Sequence, residues 1–314
     1  MLIQNLQTIL AALVPIFALI GLGYLFRRVG FPGDGFWPPL ERLVYYVLFP
    51  ALLVEKLATA QIDGNRIVLV LGAVVIALTA MSAGVIALRR LFAVDGPGFT
   101  SVFQGSIRFN TYLGIAAALG VYGHEGAAVA AMTVAMLIPL VNVYCVGVLT
   151  HYAGSHSSPA ALARGIARNP LIIACVVGIL LNRTGIGLPY GSDGVLEIVG
   201  RAALPMGLMT VGAGLQLRTA WGRGGVLVGT SLLKLVAMPL LAWGSARLVG
   251  LTPMETRILV LFGALPTASS AYILARQMGG DHTLVATLLT VETAVSAISL
   301  PLVLLIMGGA GIGS

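Results

Sequence analysis

An apolar run over roughly residues 98–122 is interrupted by Arg108-Phe109-Asn110-Thr111-Tyr112-Leu113-Gly114. One cation and three hydrogen-bonding side chains stand where a membrane crossing would be most apolar. In hydrocarbon a polar group without a partner is costly, so such a cluster marks a candidate binding site. A second run, Met254 to Gly280, breaks at Leu265-Pro266-Thr267-Ala268-Ser269-Ser270. Pro266 removes a helix hydrogen bond and clashes with the preceding turn. A helix broken at mid-membrane frees amides that attract anions and carbonyls that attract cations. Asn110, Thr111, Tyr112, Pro266, Thr267, Ser269 and Ser270 are therefore candidate ligand-binding residues. The alternative for the hydroxyls and amides is hydrogen bonding between packed helices. Two interrupted crossings at matching places in two halves of a chain point to the binding site of a secondary transporter.

Charged groups within apolar runs offer charge compensation or coupling. Arg108 either neutralises an anionic ligand or snorkels to the membrane surface. Lys234 and Glu292 lie within later apolar runs. They read as a structural ion pair, because two unpaired buried charges are costly, or as a proton or cation site at Glu292. H+ and Na+ are the candidate coupling ions. Asn142, just after Pro139, faces a cavity or packs between helices, and Tyr272 reads as packing. Arg201, within the seventh span, stands at helical spacing from Glu197 one turn earlier, which suits a structural pair.

Other chemistry lacks its signatures. Cys145 and Cys175 sit in apolar runs and read as core. His124, His151, His156 and His282 fall in loops or at span ends, so no metal site is expected. A phosphate-cradling Gly-rich loop with Lys-Ser/Thr, HExxH and GxSxG are all absent, which argues against ATP-driven transport and against an enzyme. No catalytic residue and no organic cofactor are assigned.

These residues need elements to position them, and composition says which. Of 314 residues 58% are apolar and 9% are charged, against about 25% charged in a soluble domain. The reading is an all-α integral membrane protein with the lipid bilayer as its solvent. The net charge of +7 comes from few residues. It suits loop arginines that orient spans better than nucleic-acid binding. A crossing takes ~20 apolar residues. Ten are expected, near 5–26, 39–58, 64–89, 98–122, 126–150, 168–182, 194–217, 224–249, 254–278 and 283–307. Nothing basic precedes the first run and Arg27 and Arg28 follow it, so it reads as a retained span. With the N-terminus outside, Arg27, Arg28, Arg42, Arg89, Arg90, Arg164, Arg168, Arg218, Arg223 and Arg276 are cytoplasmic. Only Lys56, Arg66, Arg183, Arg247 and Arg257 are then outside, which favours both termini outside.

The halves resemble each other. A shift of 155 residues lays Pro15 on Pro170, Gly23 on Gly178, Arg28 on Arg183, Gly30 on Gly185, Pro50 on Pro205 and Thr111 on Pro266. Five spans per half is odd, so residues 1–150 and 163–308 are expected to be two inverted five-helix repeats.

Leu48-Phe49-Pro50, the stretch from Arg108 to Gly114, and the stretch from Leu265 to Asp281 resemble the auxin efflux carrier family, in its bacterial, malonate-carrier-like branch. The resemblance covers nearly the whole chain. It implies a ten-helix fold related to the bile acid/sodium symporters, with broken fourth and ninth helices crossing at the membrane centre. It also implies a scaffold of helices 1, 2, 6 and 7 that forms a homodimer, and a moving transport domain of helices 3–5 and 8–10. Substrate would sit near Asn110, Thr111, Pro266 and Thr267, with Asn142 beside it. Family substrates are organic anions, malonate or other dicarboxylates in bacteria and indole-3-acetate in plants. A bacterial inner-membrane, multi-pass protein follows. The long cytoplasmic loop of the plant carriers has no counterpart here, and Glu292 matches no family motif. An ion channel or passive pore, or a sensor that binds a ligand without moving it, would draw on the same features.

Overall fold

The computed structural model describes residues 2–60, 64–154, 159–188, 191–216 and 223–309. Arg218 and His156 lie outside these residues. The described chain is all-helical. In order it forms α1 (Leu2–Arg28), α2 (37–58), α3 (Gly64–Ala87), α4 (Gly96–Ile107), α5 (Thr111–Tyr152), α6 (Pro159–Ala167) and α7 (Pro170–Arg183). There follow α8 (Ser192–Ala213), α9 (224–249), α10 (Pro253–Ala264), α11 (Ser270–Gln277) and α12 (His282–Gly309). Among the described residues six helical runs are long and apolar enough to cross a membrane. They are Gln4–Arg28, Gly64–Ala87, Gly96–Tyr152, Ser192–Ala213, Gly224–Val249 and His282–Met307.

Helices form where the apolar runs were read, and the departures have local causes. The division expected after residue 122 is present as a kink within α5, where Gly123 leaves helical geometry with a φ of 66° that suits a residue without a Cβ. The connection from His151 to Arg168, read as a loop, contains the short helix α6. A π-helical turn occurs at Val44–Leu48 in α2 and another at Leu233–Ala237 in α9. Each ends two residues before a proline, which cannot donate to the turn behind it.

Small residues let the helices close on one another. α1 lies along α8 so tightly that a Cβ on Gly23 would fall 2.1 Å from the Met209 carbonyl oxygen. One on Gly212 would fall 1.8 Å from the Ile20 carbonyl oxygen. α7 meets α2 in the same manner, with Gly178 against Val54 and Leu57. Without a hydrophobic drive between helices in lipid, such backbone approach supplies the packing. α3, α4, α5, α9, α10 and α12 contribute to a core that includes Phe99, Phe103, Leu113, Ile258 and Leu288 and continues into α1, α2, α7 and α8. α3 and α10 are also joined at their starts by the ion pair of Arg66 with Glu255.

Asp281 fastens the start of α12. Its Oδ1 accepts from the Leu284 N–H at 2.9 Å, and its other oxygen pairs with Arg223. Burial opposes its charge, but the Leu284 N–H and the Arg223 guanidinium outweigh burial and hold its carboxyl below the usual aspartate range. A depressed folded-state value means stability that is full above the unfolded-state value of ~3.9 and lost as the pH falls through the folded one. The melting-temperature gap between wild type and Asp281→Asn in detergent should therefore be wide near neutral pH and close on acidification; a gap independent of pH would contradict the assignment. Gly212→Ala should lower the melting temperature, by the equivalent of ~1–3 kcal/mol for forced overpacking. Gly21→Ala, which meets nothing within 4 Å, should not.

Candidate functional site

Both interruptions are real breaks, and they touch. α4 ends at Ile107, Arg108 is extended (φ −74°, ψ 155°), and α5 restarts after Asn110. α10 ends at Ala264, Leu265 is extended (φ −71°, ψ 148°), and α11 begins at Ser270. Each freed backbone group needs a partner where water is scarce. The Asn110 N–H donates to the Pro266 carbonyl at 2.8 Å, joining one break to the other. Asn110 Oδ1 accepts from the Leu113 N–H at 3.1 Å and so caps α5. The Thr267 N–H donates to Glu292 Oε2 at 2.9 Å, and Thr267 Oγ1 donates to the Gly105 carbonyl at 2.8 Å. Gly114 gives way to the end of α10, since its Cβ would sit 2.7 Å from Leu265 and Phe262 side-chain carbons.

In front of the breaks lies a cavity of about 760 Å³. Of the sequence-derived candidates, Arg108, Asn110, Thr111, Tyr112, Asn142, Ser269 and Ser270 line it. Pro266 and Thr267 do not line it. Both serve to join the breaks, and Thr267 is fully buried. Arg108 does not snorkel. It is 6% exposed, and its guanidinium donates to Asn142 Oδ1 at 2.9 Å and to Ser270 Oγ at 3.2 Å. Among the described residues no carboxylate forms an ion pair with it. Asn142 therefore faces the cavity and braces Arg108. The Tyr112 ring also packs edge-on to Phe49, centroids 4.9 Å apart. Tyr272 is a packing residue beside the His282 ring.

Glu292 and Lys234 are not cavity residues. Both are fully buried behind the breaks. The ion pair weighed from sequence is not made by contact: Glu292 Oε1 and Lys234 Nζ each lack a hydrogen-bond partner among the described residues. Their charges act on one another only through the core. Arg201 does pair with Glu197 on the exposed face of α8.

Sequence reading missed Glu41, Tyr45 and Asn169, which also line the cavity. A signal existed: Glu41 and Tyr45 lie four apart, on one face of the second apolar run, as i and i+4 do on a helix. Asn169 caps α7 just ahead of Pro170, its Oδ1 accepting from the Leu171 N–H at 2.9 Å.

A family model described as membrane transport protein matches residues 8–304. An uncharacterized transporter of Methanothermobacter thermautotrophicus is 29% identical over 302 residues, covering 94% of this chain and 96% of that protein. A protein of Rhizobium meliloti named "Putative malonate transporter" is 25% identical over 305 residues, covering 89% of this chain and 92% of its own. An uncharacterized transporter of Methanocaldococcus jannaschii is 22% identical over 296 residues, covering 90% and 94%.

Removing one of two buried opposite charges strands the other and costs ~3–5 kcal/mol. Glu292→Leu, which also deprives the Thr267 N–H of its acceptor, should destabilise the detergent-solubilised protein by that order. Adding Lys234→Met should recover part of the loss. Strictly additive effects in the double-mutant cycle would show that the two charges are independent.

Proposed function

The chain belongs to the membrane transport protein family, the auxin efflux carrier family, and on that premise we propose that it is a secondary transporter of a small organic anion. The observation that carries this reading is Arg108. A guanidinium 6% exposed and braced by Asn142 and Ser270 borders a 760 Å³ cavity with no carboxylate ion-paired to it among the described residues. Its planar fork suits a carboxylate, which it can hold by two parallel hydrogen bonds. The N-terminus of α5, at Thr111 and Tyr112, borders the same cavity and adds its positive dipole end. Asn110, Thr111, Tyr112, Asn142, Ser269 and Ser270 then orient the anion, while Pro266 and Thr267 fix the breaks. The Rhizobium meliloti relative is named for malonate, and a small dicarboxylate fits the cavity and its charge.

The architecture behind this reading is ten crossings in two inverted repeats. The Gly96–Tyr152 run is 57 residues long, far beyond the ~20 of one crossing, and it divides at Gly123. Residues paired by the 155-residue shift do equal work: Gly23 and Gly178 each admit a neighbouring helix, and Gly30 and Gly185 have φ of 75° and 69°. The contact of α1 with α8 then has its counterpart in the contact of α7 with α2. These four helices form the scaffold and the dimer face. The breaks ride on the remaining helices, whose movement as a body alternates access. The cavity reaches Arg42 and Asn169, on the arginine-rich side, so the form described faces the cytoplasm of a bacterial inner membrane.

Uptake of labelled malonate, succinate and indole-3-acetate into proteoliposomes tests the reading. Arg108→Ala should cut uptake roughly 10- to 100-fold, the loss of a charge-assisted bond worth ~1.5–3 kcal/mol. Arg108→Lys should restore it only in part. Uptake undiminished in Arg108→Ala would refute the assigned site.

A further inference from the structure

The cavity holds a negative charge for which the anion-binding reading has no use. Glu41, on α2, is the one acidic residue among the described residues that line it. Its Oε1 accepts from Ser269 Oγ at 3.3 Å, so this carboxylate touches the second break. Among the described residues it makes no ion pair. Charged and titratable groups face the same space from three places. Arg42, Tyr45 and Tyr46 come from its own helix, Arg108 from the first break and Tyr112 from the start of α5. The second break and α7 contribute uncharged Ser269, Ser270 and Asn169.

An anion seated against Arg108 must share this space with Glu41. A volume of 760 Å³ taken as a sphere is about 11 Å across, close to the Debye length of ~8–10 Å. The anion itself fills much of that width, which brings the two carboxylates toward the ~4–6 Å at which they disfavour ionising together, and one of them takes a proton. Resting on the organic-anion reading, we propose that Glu41 takes up one proton when the anion binds beside Arg108.

The balance is simple. Glu41 carboxylate plus a proton from the bath gives the carboxylic acid; one O–H bond forms and nothing is oxidised or reduced. The ionised carboxylate accepts from Ser269, and the acid gains an O–H that can donate to the ligand. Counted over Arg108 and Glu41, the empty cavity has one positive and one negative charge. Loaded with a monocarboxylate and a proton, it again has one of each. Binding of a monocarboxylate with one proton thus leaves the net charge of this pair unchanged.

Calorimetric titration of the solubilised protein with indole-3-acetate and with malonate, at about pH 6.5 and about pH 8.5 in two buffers of unlike ionisation enthalpy, tests this. Wild type should take up about one proton per ligand, after correction for the ligand's own protons, and lose affinity roughly tenfold per pH unit. Glu41→Gln should bind both probes with no proton uptake and no pH slope, and Glu41→Asp should restore both. Binding by wild type without proton uptake, or an unchanged uptake in Glu41→Gln, overturns the proposal and leaves the anion reading standing. Failure of both probes to bind wild type and Glu41→Gln at either pH overturns the anion reading and this proposal with it.

Discussion

The hydrogen bond from the Asn110 N–H to the Pro266 carbonyl, 2.8 Å long, is the contact on which the rest of the structure depends. A helix broken within the apolar interior frees amides and carbonyls that water cannot reach. Such a break is tolerable only where other protein groups complete its hydrogen bonds. Here the breaks complete each other, with Glu292 and the Gly105 carbonyl taking the Thr267 donors. The half-helices that hold them, α4 and α10, are correspondingly buried over nearly their whole length.

That mutual dependence divides the polar residues into two sets. Thr267, Glu292 and Lys234 lie on the packed side, fully buried. Arg108, Asn142, Ser269 and Ser270 lie on the open side, around the cavity. Of the first set, Thr267 and Glu292 keep two irregular segments in register; the second set borders open space. The Arg108 brace crosses between elements, since Asn142 belongs to α5 and Ser270 to α11. The orientation of the guanidinium thus depends on the meeting of the breaks.

The positions of both breaks were legible because their causes are local. Pro266 cannot continue a helix, and Arg108 and Asn110 are out of place in an apolar run. Helix positions were legible from run length, and the Arg201–Glu197 pair from spacing alone. Glu41 carried one local signal, its four-residue spacing from Tyr45, but its place at the cavity was not legible. It looks like an ordinary charge at the start of a span, and its partner Ser269 is 228 positions away. The division near residue 123 was legible, because a glycine between two apolar stretches marks where helical geometry is left.

By itself the sequence determined the membrane class, the helices, the two interruptions and the list of polar residues that could serve a ligand. Those follow from composition and from neighbours within one turn. Tertiary packing alone decided which of these residues meet the cavity and which fasten the breaks. It placed Thr267 against Gly105, 162 positions away, and left Ser270 against Arg108. The physical reason is that a side chain a few residues from another in a broken helix can face either way. Only the neighbouring helices, arriving from distant sequence, supply the acceptors that hold it in one direction.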